Sequence, residues 1–380
     1  MNGPQLTVDL AAVAANTRTL LATGTHELMA VVKADGFGHG AREVAATALA
    51  HGATRLGVTS LAEAAAVLDL GVPVLSWLNA PGAGWDDPAT AAVEVAVPSL
   101  HHLTAVCSGA AATGRRRRVH LHVDTGMSRD GCPAEEWATL CRAARRAEQL
   151  GPVEVVGVMS HLGCAAEPAD PCNTAAAREF ARAAAVARRT GLRPSVLHLA
   201  ATAATLSAPG THHDLVRVGA GLVGIDPTGA GRLTPALTLT APVVQVRRVR
   251  AGRSVGYGHD HRTGARSTLA LVGVGYADGI PRAASTSGQV LLRGRRYPLI
   301  GAVSMDQLVV DLGDDHAEPG DEVVLFGPGD RGEPTVAQWA GWSGTIEHEL
   351  VTGTGTRLPR RHLPAPASPV LDGRGPRSAA

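Results

Sequence analysis

The sequence predicts an α/β chain: an N-terminal (β/α)8 TIM-type barrel followed by a mostly antiparallel β domain. Three observations predict it. Up to about residue 230, short β-branched runs alternate with alanine-rich helical stretches, the pattern of a parallel barrel. From about residue 235 the runs are joined by Gly- and Pro-containing turns with almost no helix between them. The length, 380 residues, suffices for two separate cores.

The elements follow from apolar runs and the turns that bound them. Eight barrel strands are expected at residues 29–35, 55–60, 73–80, 93–99, 118–126, 155–162, 195–201 and 215–224, with helices between most of them, such as 134–150 and 173–190. They give a first domain over residues 1–232. The second, over 233–363, holds runs at 237–249, 267–276, 289–293 and 307–311, with one late helix at 335–342. Residues 364–380 are rich in Pro, Gly, Ala and Ser, a composition expected to be disordered.

Composition excludes several classes. A formal net charge of +1 leaves no footprint for nucleic acid or an acidic membrane surface. The run Arg115 to Arg118 is expected to be a solvated turn. No apolar stretch reaches the length of a membrane span, and no basic-then-apolar leader opens the chain, so a cytoplasmic protein is expected. With 45% hydrophobic but only 3% aromatic residues, the core must be built of Ala, Val and Leu. The five cysteines form no CxxC pair and are odd in number, so free thiols are expected and neither a disulfide framework nor a metal site.

In such a barrel the chemistry sits at the C-terminal ends of the strands. Those ends carry Lys33, then Asp124-Thr125-Gly126-Met127-Ser128-Arg129, His161, His198 running into Thr202, and Arg217 leading into Gly219-Ala220-Gly221. Lys33 follows Val31-Val32, where an isolated ammonium is expensive to bury. It is either employed chemically or a strand-end lysine reaching water. The neighbouring glycines and His39 favour a site. By residue type alone, His161 and His198 could be core histidines, Arg217 an ion-pair partner, and Tyr257, between Gly256 and Gly258, a turn tyrosine.

Residues 30–40, Ala-Val-Val-Lys-Ala-Asp-Gly-Phe-Gly-His-Gly, closely resemble the cofactor-lysine signature of the alanine racemase family. The likeness continues in order through residues 119–129, Val216-Arg217-Val218-Gly219, Ser254-Val255-Gly256-Tyr257-Gly258, Gly275-Tyr276-Ala277-Asp278-Gly279, Val303-Ser304-Met305-Asp306-Gln307 and Gly344-Thr345-Ile346. The resemblance implies a pyridoxal-phosphate (PLP) racemase acting on alanine or a similar small amino acid, working as a homodimer with shared sites. It implies that Lys33 holds PLP as a Schiff base and serves the D-face, while Tyr257 of the partner serves the L-face. A phenol with its usual pKa of about 10 is a poor base at neutral pH. In the family, a histidine at the position of His161 assists it. Arg217, backed by His198, would face the pyridine nitrogen. An arginine cannot easily protonate that atom, which favours racemisation over transamination. Arg129 and Met305 would contact substrate. Phe37, Thr202, Gly219, Ala220 and His348 stand where the family holds the phosphate.

The sequence departs from the family at that end. Phe37 and His348 each replace a tyrosine, Thr202 replaces a serine, and Ala201 stands where asparagine is usual. His122 replaces a lysine that braces the substrate-binding arginine. None of these changes removes a proton-transfer residue. Two other functions remain to be weighed: another PLP reaction such as decarboxylation, and a non-catalytic PLP carrier. The Tyr257 motif discriminates against both.

Overall fold

The computed structural model describes residues 3–365, so nearly all of the expected disordered tail lies outside the described residues. The first strand, β1 (Gln5–Asp9), precedes eight parallel strands: β2 (Glu27–Val31), β3 (Arg55–Val58), β4 (Val74–Ser76), β5 (Glu94–Val97), β6 (Arg117–His122), β7 (Val153–Met159), β8 (Val196–His198) and β9 (Leu215–Val218). They pair in the order β8-β7-β6-β5-β4-β3-β2-β9. A bridge from Ala201 to Arg217, with Arg217 N–H donating to the Ala200 carbonyl (3.0 Å), joins the two ends and closes the barrel.

All eight expected strands are present, but most end several residues earlier than the apolar runs. The reason is functional geometry: apolar residues continue past the last ladder bond into the loops that shape the barrel mouth. Lys33 and His161 each stand two residues beyond their strands rather than within them.

The helix Ala134–Leu150 buries Trp137, Leu140, Cys141, Ala144 and Ala147, one stripe at helical spacing. Fully burying a side chain such as Leu140 contributes roughly 1.5–3 kcal/mol. Trp137 Nε1 donates to the Ala183 carbonyl (2.9 Å) of the next helix, Pro171–Arg189. That second helix starts before its alanine pattern does. Asp170 caps it by accepting from Cys172 N–H, and Pro171 fits the first turn because its missing N–H is not needed there.

The remaining strands are β10 (Leu237–Val249), β11 (Ser254–Val255), β12 (His261–Arg262), β13 (Ser267–Val272), β14 (Gln289–Leu292), β15 (Arg295–Pro298), β16 (Leu308–Asp311), β17 (Glu322–Phe326) and β18 (Arg360–Leu363). The long β10 pairs antiparallel with β1, β13 and β17, shifting register at Leu239/Thr240 and Val243/Gln245 so that it can serve several partners. The expected late helix is Val336–Ser343, started by a capping box of Thr335 and Gln338. A short helix, Glu347–Gly353, follows it.

Three features differ from the sequence expectation. Although it opens the chain, β1 lies between β10 and β18 in the second sheet, not in the barrel. Asn16, buried on the helix Leu10–Leu21, then ties the barrel's last turn to the segment leading into β10: it donates to the Leu222 (3.1 Å) and Thr234 (2.8 Å) carbonyls and accepts from Thr234 N–H. The arginine run is not wholly solvated, and Arg117 and Arg118 belong to β6. Arg117 is buried, with its guanidinium on the Thr90 and Trp85 carbonyls, and Arg118 pairs with Glu94 at 3.0 Å. Finally, Cys164 and Cys172 form a disulfide, while Cys107, Cys132 and Cys141 are free. The two cysteines stand eight positions apart, and the turn between them brings the sulfurs together, a proximity that cysteine spacing alone does not reveal. Among the described residues, no helix is long and apolar enough to cross a membrane.

Candidate active site

A cavity of about 770 Å³ opens at the C-terminal ends of the barrel strands. That lies within the roughly 300–1,000 Å³ range of small-molecule sites. Lys33, Phe37, Arg129, His161, Thr202, Arg217, Gly219, Ala220 and His348 all line it, and His198 lies buried directly behind Arg217. Tyr257 and Met305 do not. They are 75% and 52% exposed and belong to the β domain. Tyr276 N–H bonds the Ser304 carbonyl and Ala277 N–H the Met305 carbonyl, while Gly256 packs on Gly301–Ala302. These neighbouring loops leave Tyr257, Tyr276 and Met305 exposed, and none of the three lines the cavity with Lys33.

The turn that presents Lys33 is left-handed over four residues: φ is 51° at Ala34, 54° at Asp35, 61° at Gly36 and 57° at Phe37. Non-glycine residues pay roughly 1–2 kcal/mol each for that conformation, so the surroundings must hold it. Glu63 Oε1 accepts from Ala34 N–H (2.8 Å), and Asp35 Oδ1 from Ala41 N–H (3.0 Å). From β18, Arg360 Nε donates to the Gly38 carbonyl (2.8 Å), and His362 Nε2 lies 2.7 Å from the His39 carbonyl. A Cβ at Gly38 would collide with the Val351 carbonyl on the helix that carries His348, which is why a glycine stands there. Strain so firmly braced is characteristic of functional sites.

The cavity is strongly cationic. Burial lowers the Lys33 pKa, Arg129 lowers it further, and Glu63 partly opposes. A larger share of the amine is therefore neutral, as a nucleophile or base requires. Arg217 is buried, and burial brings it down to about 10. Its Nη1 and Nη2 contact the His198 and Leu199 carbonyls, the Ser160 carbonyl (2.6 Å), His198 Nδ1 (3.1 Å) and His161 Nδ1 (3.3 Å). Its Nε has no protein partner among the described residues. Burial, then Arg217, Arg129 and Lys33, push His161 down to about 3. A neutral His161 whose Nδ1 accepts from Arg217 carries its proton on Nε2.

At the opposite end, Thr202 Oγ1 accepts from Gly221 N–H (3.2 Å), leaving the hydroxyl proton free to donate. The turn Ala220–Val223 begins here, and N–H groups opening such a turn have no partner inside it. Phe37 packs beneath Gly219, where a Cβ would strike its ring. His348 lies 6.1 Å from the Phe37 ring, centroid to centroid, and its pKa is lowered by burial and then by Lys33. His122 stands 3.4 Å from Asp130 beside Arg129.

Sequence reasoning missed Glu63, and also Glu94 and His120, which lie behind His198. Strand alternation held a signal: in His120-Leu121-His122 the two histidines share the inward face, so His120 had to be buried.

Comparison with known proteins agrees with this geometry. The family model for the alanine racemase N-terminal domain matches residues 8–227, and that for the C-terminal domain residues 236–362. An alanine racemase of Frankia casuarinae is 46% identical over 365 residues, covering 94% of this chain and 95% of its own. The alanine racemase of Streptomyces lavendulae superposes with a TM-score of 0.92 at 42% identity, covering 96% of this chain and 98% of its own. That of Bartonella henselae, solved with covalently bound pyridoxal phosphate, gives a TM-score of 0.86 at 28% identity, covering 96% and 100%. With both domains matched and this identity held over nearly the whole length, the chain belongs to the alanine racemase family of isomerases.

Proposed function

We propose that the protein interconverts L- and D-alanine with pyridoxal phosphate as cofactor, using Lys33 and Tyr257 of a second copy as opposed bases. The observation that carries this reading is the convergence of an amine with lowered pKa, a neutral imidazole and a buried guanidinium with an unpartnered Nε on one cavity. The donors fit PLP: Lys33 for its aldehyde carbon, Arg217 for the ring nitrogen, and Thr202 with the Gly219-Ala220 turn for the phosphate. When bound, the cofactor supplies the electron-withdrawing ring that makes the substrate α-proton removable.

The chain's residues do the rest. Arg129 binds the substrate carboxylate. Lys33 Nζ takes or returns the α-proton on one face, and Tyr257 Oη does so on the other. The Nε2–H of His161 is available to donate to the Tyr257 oxygen and stabilise it without its proton. Arg217, a donor with no acidic proton to give, keeps the ring nitrogen unprotonated. Because Tyr257 is exposed and does not line the cavity, the reading requires a homodimer in which residues 233–363 of one copy cover the barrel mouth of the other. Tyr276, Met305 and Ile346, 44%, 52% and 62% exposed, support such a covering surface. Incubating the PLP-loaded protein with single L-amino acids and separating enantiomers should yield D-alanine from L-alanine, approaching equal amounts. Decarboxylated amine, or no D-product from any small amino acid, overturns the assignment.

The altered phosphate end makes cofactor affinity depend on pH. The His348 pKa is lowered in the cofactor-free protein, and a nearby phosphate raises it in the complex. The extra binding is therefore fully present below the free protein's value and is lost as pH rises through the complex's value. Titrating PLP into the apoprotein from mildly acid to mildly alkaline pH should show affinity falling more steeply for wild type than for His348→Gln. Identical profiles would mean that the imidazole carries no charge at the phosphate.

A further inference from the structure

A line of buried polar side chains crosses the barrel interior, where layers of branched apolar residues are the rule. It starts at Glu94, the first residue of β5, at the end of the barrel opposite the cavity. Arg55 (3.3 Å) and Arg118 (3.0 Å) flank that carboxylate. Glu94 Oε2 lies 2.9 Å from His120 Nε2, His120 Nδ1 lies 2.8 Å from His198 Nε2, and His198 Nδ1 lies 3.1 Å from Arg217 Nη1. Glu94 is 1% exposed and both histidines are wholly buried. On β7, Gly157 leaves room for the His120 ring, since a Cβ there would collide with Nδ1. The mechanism above uses neither Glu94 nor His120.

We propose that Glu94 and His120 are positioning residues for the reaction: the carboxylate sets the direction of every hydrogen bond in this line and so presents a bare His198 Nδ1 to Arg217. The argument is a count of protons. A carboxylate only accepts and a guanidinium only donates. Two imidazoles between them satisfy all three bonds in one way alone, with a single proton on each ring, at Nε2. Any other distribution sets donor against donor or acceptor against acceptor in a dry interior. The titration tendencies agree. Burial alone would raise Glu94, but His120, Arg118 and Arg55 outweigh it and hold the carboxyl below its ordinary value. Burial, above all, holds both histidines below theirs. With the line so directed, Arg217 is anchored by both Nη atoms and its Nε is left for the cavity. Were the line reversed, His198 Nδ1–H would face a guanidinium N–H and displace it.

The catalytic consequence rests on Arg217 facing the cofactor ring, whereas the hydrogen-bond direction does not, and the experiment separates the two. In cofactor-free protein labelled with 15N-histidine, the rings of His120 and His198, assigned through His120→Gln, should both be neutral Nε2–H tautomers. A doubly protonated or Nδ1–H ring in the wild type overturns the proposal, and this measurement needs no variant of Glu94, no substrate and no activity. In Glu94→Gln the amide can donate to His120, so the tautomers should become mixed. The kcat for alanine should then fall roughly ten- to a hundredfold. KM should stay within about threefold, because Arg129, the proposed partner of the substrate carboxylate, is outside the line. Mixed tautomers with kcat within about twofold of wild type would show the line to be structural only. So would a lowered melting temperature with unchanged kcat per folded site.

Discussion

Lys33→Ala should abolish alanine racemisation, lowering kcat by roughly four orders of magnitude or more. Removing one general base typically costs about a hundred- to ten-thousandfold, and in the proposed mechanism the same side chain is also the covalent attachment point. The fold should survive, because the neighbouring left-handed turn is braced through backbone atoms, by Glu63, Arg360 and His362, not through the lysine side chain. Borohydride treatment of the PLP-loaded wild type should leave the reduced pyridoxyl group on the peptide containing Lys33. Thr202 and the Gly219-Ala220 turn are left in place, so Lys33→Ala should retain some reversible PLP binding. A reduced adduct on another residue, or a variant with more than a few per cent of wild-type activity, would remove Lys33 from its proposed role.

Mixing the inactive variants Lys33→Ala and Tyr257→Phe should restore activity. In the proposed dimer, neither parent variant holds a complete site. A mixed dimer holds one, Lys33 from one copy with Tyr257 from the other, while its second site lacks both bases. Random exchange at equal amounts makes half the dimers mixed, each with one of two sites working, so about a quarter of wild-type activity should return. The structural motive is the separation already visible in one copy: Tyr257 is 75% exposed and does not line the cavity that holds Lys33. Subunit exchange must be confirmed independently, for example by mass tagging. Verified exchange with no recovered activity would mean that each copy completes its own site.

Much of this protein was legible as sequence. Alternation and apolar runs located eight barrel strands, and the structure pairs all eight in one parallel sheet. The ends of those strands named Lys33, Arg129, His161, Thr202 and Arg217, and the fold sets all five around one cavity. This worked because the information is local. A two-residue period gives the face of a strand, and a parallel barrel brings every C-terminal end to the same mouth.

What only the folded chain decided involves partners distant in sequence. Periodicity buries Arg117 or His120 but does not say which carbonyl or carboxylate meets it. Strand pairing brings Glu94, His120, His198 and Arg217 into one hydrogen-bonded line across four different strands. The same holds for β1, whose alternation is equally at home in either sheet until β10 and β18 claim it. The turn after Lys33 is a harder case, because local preference opposes it. Three non-glycine residues there are left-handed against their own steric energy, and bonds from Glu63 and from β18, more than 300 residues away, hold them so. Long-range contacts outweigh local propensity where many act on few residues, and in this chain that happens directly after Lys33, the residue proposed to carry the chemistry.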